Sequence, residues 1–426
     1  MSRPGPAPEL DEARRHLREG RLAEGEALFA RLLEREPDHV EALNVAALAA
    51  LRTGQPQRAL PLLDRALAVD PAQVAAYHYR GTAREQCGDA AGARQDYEQA
   101  LALDAGRDHT RLLLGRVLER LGEPHAAALS YLRALRSAQS QGRWLNPRTT
   151  PESLRPVVEQ AIRHIGLVEA ETFARVLEPV RAAYGRQSLE RVEAAMRCFR
   201  GVERAQYPDP RQRPTLLYLP GLAPRPYFDT AALPFVAGLE AQTGAIRDEL
   251  QRALASTDGR EAVFHDAKVE HANLKGGQPQ WNGYYFYRHG RRNDTNAANS
   301  PRTLAAVDAL PLPRIRGNAP EVLFSVLAPD THLLPHRGVT NTRLVLHLPL
   351  IVPPDCALRV GGEQHEWQEG RCVVFDDTYE HEAWNRSTQT RVVLIADLWH
   401  PELTDAERAA FTELAPAIGE LRREAA

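Results

Sequence analysis

A chain of 426 residues with 43% hydrophobic and 26% charged side chains is long enough for two or three cores and too apolar for global disorder. Its 53 basic residues nearly balance 56 acidic ones, a net charge of -3, so no long-range field gathers nucleic acid or an anionic membrane. The N-terminal Met1-Ser-Arg-Pro-Gly-Pro-Ala-Pro stretch lacks a signal-peptide core, and no run reaches the roughly 20 apolar residues of a membrane helix. A cytoplasmic protein is expected. Cys87, Cys198, Cys356 and Cys372 form no C-x-x-C pair, which predicts buried or half-buried free thiols and not a zinc site.

The first third repeats itself. Gly20, Gly54, Gly88 and Gly122 recur at a spacing of 34 residues. In the same register come Gly25, Ala59, Ala93 and Ala127, then Phe29, Leu63, Tyr97 and Tyr131, then Leu32, Ala66, Ala100 and Ala134. The period predicts stacked helical pairs with glycine in the turn, where a side chain would strain the backbone or block close approach, and small residues where helices pack closely. The pattern resembles the tetratricopeptide family over residues 8–137, about four units. The resemblance implies a solenoid that binds a peptide or protein partner; a purely stabilising or dimerising array is the alternative.

Residues 138–212 read as a helical connector, with Val157, Val158, Ile162, Ile165 and Val168 on one face. Tyr207-Pro-Asp-Pro-Arg-Gln-Arg-Pro214 marks a boundary, and residues 213–426 read as a β-rich domain. One helix is expected from Thr230 to Ala255. Strands are expected at Val322 to Leu327, Arg343 to Leu350, Arg371 to Phe375 and Arg391 to Leu398. The predicted class is α+β multidomain: an all-α solenoid followed by a double-stranded β-helix, or jelly roll, whose interior can hold a ligand.

Three features suggest chemistry. His336 and His381 lie at strand edges, and neutral imidazole is a common ligand of divalent iron, although either could be an ordinary hydrogen-bonded histidine. Arg391 opens an apolar strand, where a guanidinium needs an anion. That anion is either a protein carboxylate, from Asp397, Asp376 or Asp377, or a bound carboxylate. Alternation places Arg343, Val345 and His347 on one face of their strand and the leucines on the other. Polar residues inward suit a liganded barrel; the reverse packing is the alternative.

The run Phe324-Ser-Val-Leu-Ala-Pro-Asp-Thr-His-Leu-Leu-Pro-His-Arg-Gly-Val-Thr-Asn-Thr-Arg-Leu-Val-Leu-His347 resembles the first metal motif of the aspartyl/asparaginyl β-hydroxylases. Phe375-Asp-Asp-Thr-Tyr-Glu-His-Glu-Ala-Trp-Asn385 is similar to their second. Weaker similarity runs over about residues 215–405. The resemblance implies an Fe(II)- and 2-oxoglutarate-dependent dioxygenase that consumes O₂. His336 and His381 would be the iron ligands, and Ser325 and Arg391 would hold the distal carboxylate of 2-oxoglutarate. His347 and Arg343 would meet its proximal carboxylate or the substrate. Gly338 stands where most related oxygenases carry a third, carboxylate ligand, and the resemblance implies a centre of two histidines, with Asp330 or Asp376 as distant candidates to fill the gap. Val345 replaces an arginine of some peptidyl members, and Tyr287, Arg288 and His289 replace residues lining their peptide site. The implied substrate is the β-carbon of Asp or Asn in a peptide or protein. The alternatives are a non-peptide substrate such as a lipid acyl chain, a catalytically inactive repeat scaffold, or a cupin-like small-molecule binder.

Overall fold

The computed structural model describes residues 7–255, 260–262, 274–276 and 280–424. Contacts cluster into two compact units, one reaching to Glu171 and joined by the chain from Leu421, the other Thr172–Glu420.

The first unit opens with four antiparallel helix pairs: α1 (Ala7–Arg18) with α2 (Leu22–Arg35), α3 (Val40–Arg52) with α4 (Pro56–Val69), α5 (Val74–Gln86) with α6 (Ala90–Leu103), and α7 (Asp108–Arg120) with α8 (Pro124–Ser140). The four glycines at the 34-residue spacing all adopt positive φ, between +70° and +86°, and a Cβ there would meet nothing within 4 Å. Handedness alone explains them; the close-approach half of the expectation does not apply. Close approach occurs at Gly81 and Gly115, where a Cβ would fall 2.7 Å from the Tyr97 ring and 2.5 Å from the Tyr131 ring. The second pair carries Ala47 at the same repeat position and the smaller Leu63 in its core. The first pair carries Ala13 with Phe29, so glycine stands at this position in the two pairs whose large residue is tyrosine.

Next come α9 (Arg155–Tyr184) and α10 (Glu190–Phe199). Val157, Val158, Ile165 and Val168 are buried, but Ile162 is 53% exposed. Fully buried Ala161 is the centre of the packed stripe, and Ile162 lies about 100° around the helix from it. Cys356 and Cys372 are buried and Cys198 is partly so, whereas Cys87 is exposed at the end of α5, against expectation.

In the second unit the helix expected from Thr230 to Ala255 is two: α11 (Pro234–Glu240) and α12 (Thr243–Ala255). Leu233, before Pro234, is extended at φ -107°, ψ 103°, because proline crowds the helical conformation of the residue preceding it. The Thr243 hydroxyl donates to the Glu240 carbonyl at 2.6 Å at the second break. Two short helices follow, α13 (Asp294–Asn299) and α14 (Pro301–Asp308), and α15 (Asp405–Glu424) closes the chain.

The strands are β1 (Tyr227–Phe228), β2 (Arg260–Ala262), β3 (Leu274–Gly276), β4 (Trp281–Arg288), β5 (Arg291–Arg292), β6 (Val322–Leu327), β7 (Thr331–His336), β8 (Arg343–Ile351), β9 (Cys356–Val360), β10 (Glu363–Glu366), β11 (Val373–Phe375), β12 (His381–Asn385) and β13 (Arg391–Trp399). They form two antiparallel sheets, ordered β1-β11-β8-β13-β6-β4-β2, with β5 against β4, and β10-β9-β12-β7-β3. The expected strands are present within two residues at each end. Leu344, Leu346, Leu348 and Leu350 of β8 join Phe324, Leu394 and Leu398 in one core with Ile246, Leu250 and Val307 of the helices. This apolar face of the large sheet packs under helices, and the period of two therefore turns Arg343, Val345 and His347 the other way. The polar-inward reading of β8 is the one the structure adopts.

Candidate active site

The inner face of the large sheet and the facing strands of the small one line a cavity of about 440 Å³ that contains Ser325, His336, Arg343, His347, His381 and Arg391 together. Residues scattered over 67 positions of sequence thus converge in one place.

His336 ends β7 and His381 begins β12. The register of these neighbouring strands sets the two opposite each other, with ring centroids 4.0 Å apart. Each Nδ1 lies within hydrogen-bond distance of the carbonyl two residues earlier, Leu334 at 2.8 Å and Tyr379 at 3.1 Å. A carbonyl can only accept, so each Nδ1 carries the proton and each Nε2 keeps its lone pair. Burial lowers the proton affinity of both rings, and His381, with His336 beside it, falls to about 3. Both are neutral at ordinary pH, the form in which imidazole binds a metal.

The gap at Gly338 has a structural cause. Its N–H donates to the Asp377 carbonyl at 2.7 Å, and a Cβ on it would fall 2.1 Å from the Asp377 carboxyl carbon. The Asp377 carboxyl fills the space in which a side chain at 338 would begin, and desolvation followed by repulsion from Asp376 pushes its pKa up to about 8. Sequence reading passed over Asp377 in this position. The signal was available as the second acid of Phe375-Asp-Asp, but only the fold shows which of the two points at Gly338. Asp376 accepts from the Thr378 N–H at 2.9 Å, from the Thr378 hydroxyl at 2.6 Å and from the Gln212 amide at 2.6 Å. Asp330 sits in the turn before β7 at φ +48°, and neither it nor Asp376 lines the cavity. Among the described residues no three His, Cys, Asp or Glu side chains converge as a metal-ligand set.

At the other end Arg391 is 2% exposed. Its Nη1 reaches the Ser325 hydroxyl at 3.4 Å, its guanidinium lies 4.7 Å from the centroid of Trp367, and its Nε has no hydrogen-bond partner among the described residues. Among the described residues the alternative of an ion pair with an aspartate is not adopted: Asp397 pairs with Arg343 at 3.3 Å, Asp376 is saturated as above, and the Asp377 carboxyl lies against Gly338. Desolvation lowers the Arg391 pKa to about 10, which still leaves it charged. Ser325 Oγ also accepts from the Trp281 indole N–H at 2.8 Å, so its own proton is directed elsewhere. His347, 6% exposed, packs edge-on against Phe375 at 5.0 Å, and its Nδ1 has no hydrogen-bond partner among the described residues. Burial, then Arg391, drives its pKa well down. Among the described residues this leaves a buried cation, a hydroxyl proton and an imidazole nitrogen without an anionic partner, groups whose hydrogen-bonding capacity a carboxylate can satisfy.

The remaining wall contains Val345, Arg288, His289, Glu321 and Asp397. Burial raises the Glu321 pKa to about 7, and Glu321 accepts from both the backbone N–H of His289 and, at 2.9 Å, its Nδ1. Arg288 lies over Tyr285 at 4.7 Å. Tyr287 does not line the cavity; its hydroxyl points away to Asp308 at 2.8 Å.

Residues 240–401 match the family model described as aspartyl/asparaginyl beta-hydroxylase, and residues 10–74 and 44–108 match the tetratricopeptide repeat. The chain is 33% identical over 224 residues to the human aspartyl/asparaginyl beta-hydroxylase, covering 51% of this chain and 28% of that protein. It is 36% identical over 179 residues to an ornithine lipid ester-linked acyl 2-hydroxylase of Rhizobium tropici, covering 41% and 61%. It is 32% identical over 208 residues to the human aspartate beta-hydroxylase domain-containing protein 2, covering 47% and 54%. The chain thus spans between about a quarter and three fifths of the length of these relatives.

Proposed function

We propose, from the match of residues 240–401 to the aspartyl/asparaginyl beta-hydroxylase family model and the tetratricopeptide repeats ahead of it, that this chain is an Fe(II)- and 2-oxoglutarate-dependent dioxygenase. Its two antiparallel sheets are taken as the faces of a double-stranded β-helix, and its substrate as Asp or Asn in a peptide or protein, hydroxylated at the β-carbon.

The observation that carries this reading is Arg391: a charged guanidinium with 2% exposure, no carboxylate partner among the described residues, and a place in the same cavity as two neutral, pre-oriented histidines. An uncompensated buried charge costs several kcal/mol, and a dicarboxylate cosubstrate removes that cost. His336 and His381 would hold the iron through Nε2, and Arg391 with Ser325 would hold the distal carboxylate of 2-oxoglutarate. His347 would offer its unpartnered nitrogen to the proximal end. When bound, iron and 2-oxoglutarate would supply the oxidative chemistry by which O₂ hydroxylates an unactivated C–H bond. The chain's own contribution is to exclude water from the carboxylate receptor, keep both imidazoles neutral and orient the substrate against Arg343, Arg288 and Glu321. The repeat array would recruit the polypeptide.

A second substrate class is favoured by one observation. Val345, half-buried in the cavity wall, offers no charge to an acidic side chain, and the Rhizobium relative is named for a lipid acyl 2-hydroxylation. An acyl chain would suit that wall.

Anaerobic titration with Fe(II) and 2-oxoglutarate tests the cofactors. The expected result is a weak visible charge-transfer band that needs both components and fades in Arg391→Ala; no band in folded, metal-replete protein overturns the reading. Mass spectrometry of an Asp/Asn peptide library and of an acyl lipid, each incubated with active protein, then decides the substrate.

A further inference from the structure

Trp367 lies in the loop between β10 and β11, and that loop is tied to the end of β8. The Gly370 N–H donates to the Pro349 carbonyl at 2.9 Å, and the Glu369 carboxylate accepts from the Val352 N–H at 2.9 Å and from Arg247 at 2.8 Å. The loop that carries the indole is therefore anchored to the sheet, while the indole N–H itself has no hydrogen-bond partner among the described residues. Trp367 is 7% exposed, it faces the Arg391 guanidinium at 4.7 Å, and its ring centroid is 5.9 Å from that of His347. It is absent from the wall of the cavity that holds the two histidines and instead borders a second space of about 450 Å³, with Arg359, Trp384 and Arg386.

We propose that Trp367 is the positioning residue of the cosubstrate receptor, holding Arg391 from behind so that its charge is aimed at the distal carboxylate. The proposal rests on the 2-oxoglutarate reading above. The physical case is one of elimination at Arg391. Among the described residues its side-chain hydrogen bond is a long one to Ser325 at 3.4 Å, too weak to orient a five-donor fork by itself. A carboxylate in the place of Trp367 would orient the guanidinium but also neutralise it, and would compete with the incoming ligand. An indole face attracts a cation through its quadrupole without removing its charge. The arrangement therefore keeps Arg391 both fixed and unsatisfied. The ring contact with His347 extends the same control to the second nitrogen that would meet the ligand.

The test replaces Trp367 with tryptophans carrying one to three ring fluorines. These keep shape and packing while draining the electron density that a cation senses, and they avoid the folding risk of Trp367→Leu. Binding of 2-oxoglutarate to zinc-loaded protein is followed by calorimetry, with zinc affinity measured alongside. The expected result is a stepwise loss of 2-oxoglutarate affinity, about tenfold or more in total for a desolvated contact of this kind, with zinc affinity unchanged. A flat series in protein that binds 2-oxoglutarate overturns the positioning role. Failure of the unmodified protein to bind 2-oxoglutarate at all overturns the reading on which it stands.

Discussion

At the scale of single residues the site is defined by what each side chain lacks. Among the described residues Arg391 lacks a carboxylate partner and His347 lacks a partner for Nδ1, and Gly338 lacks a side chain where Asp377 occupies the space. The last point predicts a coupled pair. Gly338→Ala should destabilise the second unit by about 1–3 kcal/mol, the usual cost of overpacking, and Asp377→Gly in the same chain should recover most of it, as read by denaturant unfolding of the four proteins. Additive losses would mean that the two do not share that space. His336→Ala or His381→Ala should abolish Fe(II) binding in equilibrium dialysis while leaving the fold intact. Arg391→Ala should leave metal binding in place and raise the 2-oxoglutarate concentration needed for turnover; retained Fe(II) affinity in His381→Ala would remove that ring from the metal centre.

Among the elements, the repeats show why a period is legible in sequence and a contact is not. The glycines at positive φ declare themselves by spacing. The pairing of Gly115 with Tyr131 needs the structure, because the two lie 16 positions apart on different helices. Gly115→Ala should cost stability, and Gly115→Ala with Tyr131→Leu should cost less than the sum of the two, since the second repeat already uses Ala47 with Leu63. Thermal unfolding of the array measures it. The same elements carry a pH dependence. His78, buried and bonded to the Thr110 hydroxyl at 2.9 Å, has its pKa lowered from 6.5 to about 3 by desolvation and then by His109. The unfolded chain therefore binds a proton there that the folded chain refuses, and stability falls as pH drops from 6.5 toward 3. His78→Asn should flatten that slope, and an unchanged slope in urea titrations across the window would show that His78 contributes nothing to it.

Across the whole molecule, ligand binding should report which unit holds the site. Saturating 2-oxoglutarate with a redox-inert divalent metal should stabilise the fold of residues 172–420 by about 3 kcal/mol at a hundredfold excess over Kd. Hydrogen exchange should locate the protection on β6, β8, β12 and β13, and Arg391→Ala should lose most of it. Much of this architecture was readable from the chain alone. The 34-residue period named the solenoid, alternation in β8 separated its polar face from its leucines, and the two histidine motifs with Arg391 named the candidate centre. These are signals of local periodicity and residue type, and both survive without a third dimension. What only the tertiary structure decided is who meets whom: His336 opposite His381 through strand register, Asp377 in the space at Gly338, Arg343 rather than Arg391 beside Asp397, and Trp367 behind the guanidinium. It also decided the break at Leu233-Pro234 and the exposure of Ile162. Each depends on which strand or helix face lies alongside, and that is settled by the burial of apolar surface over the whole unit, a sum that no short window of sequence contains.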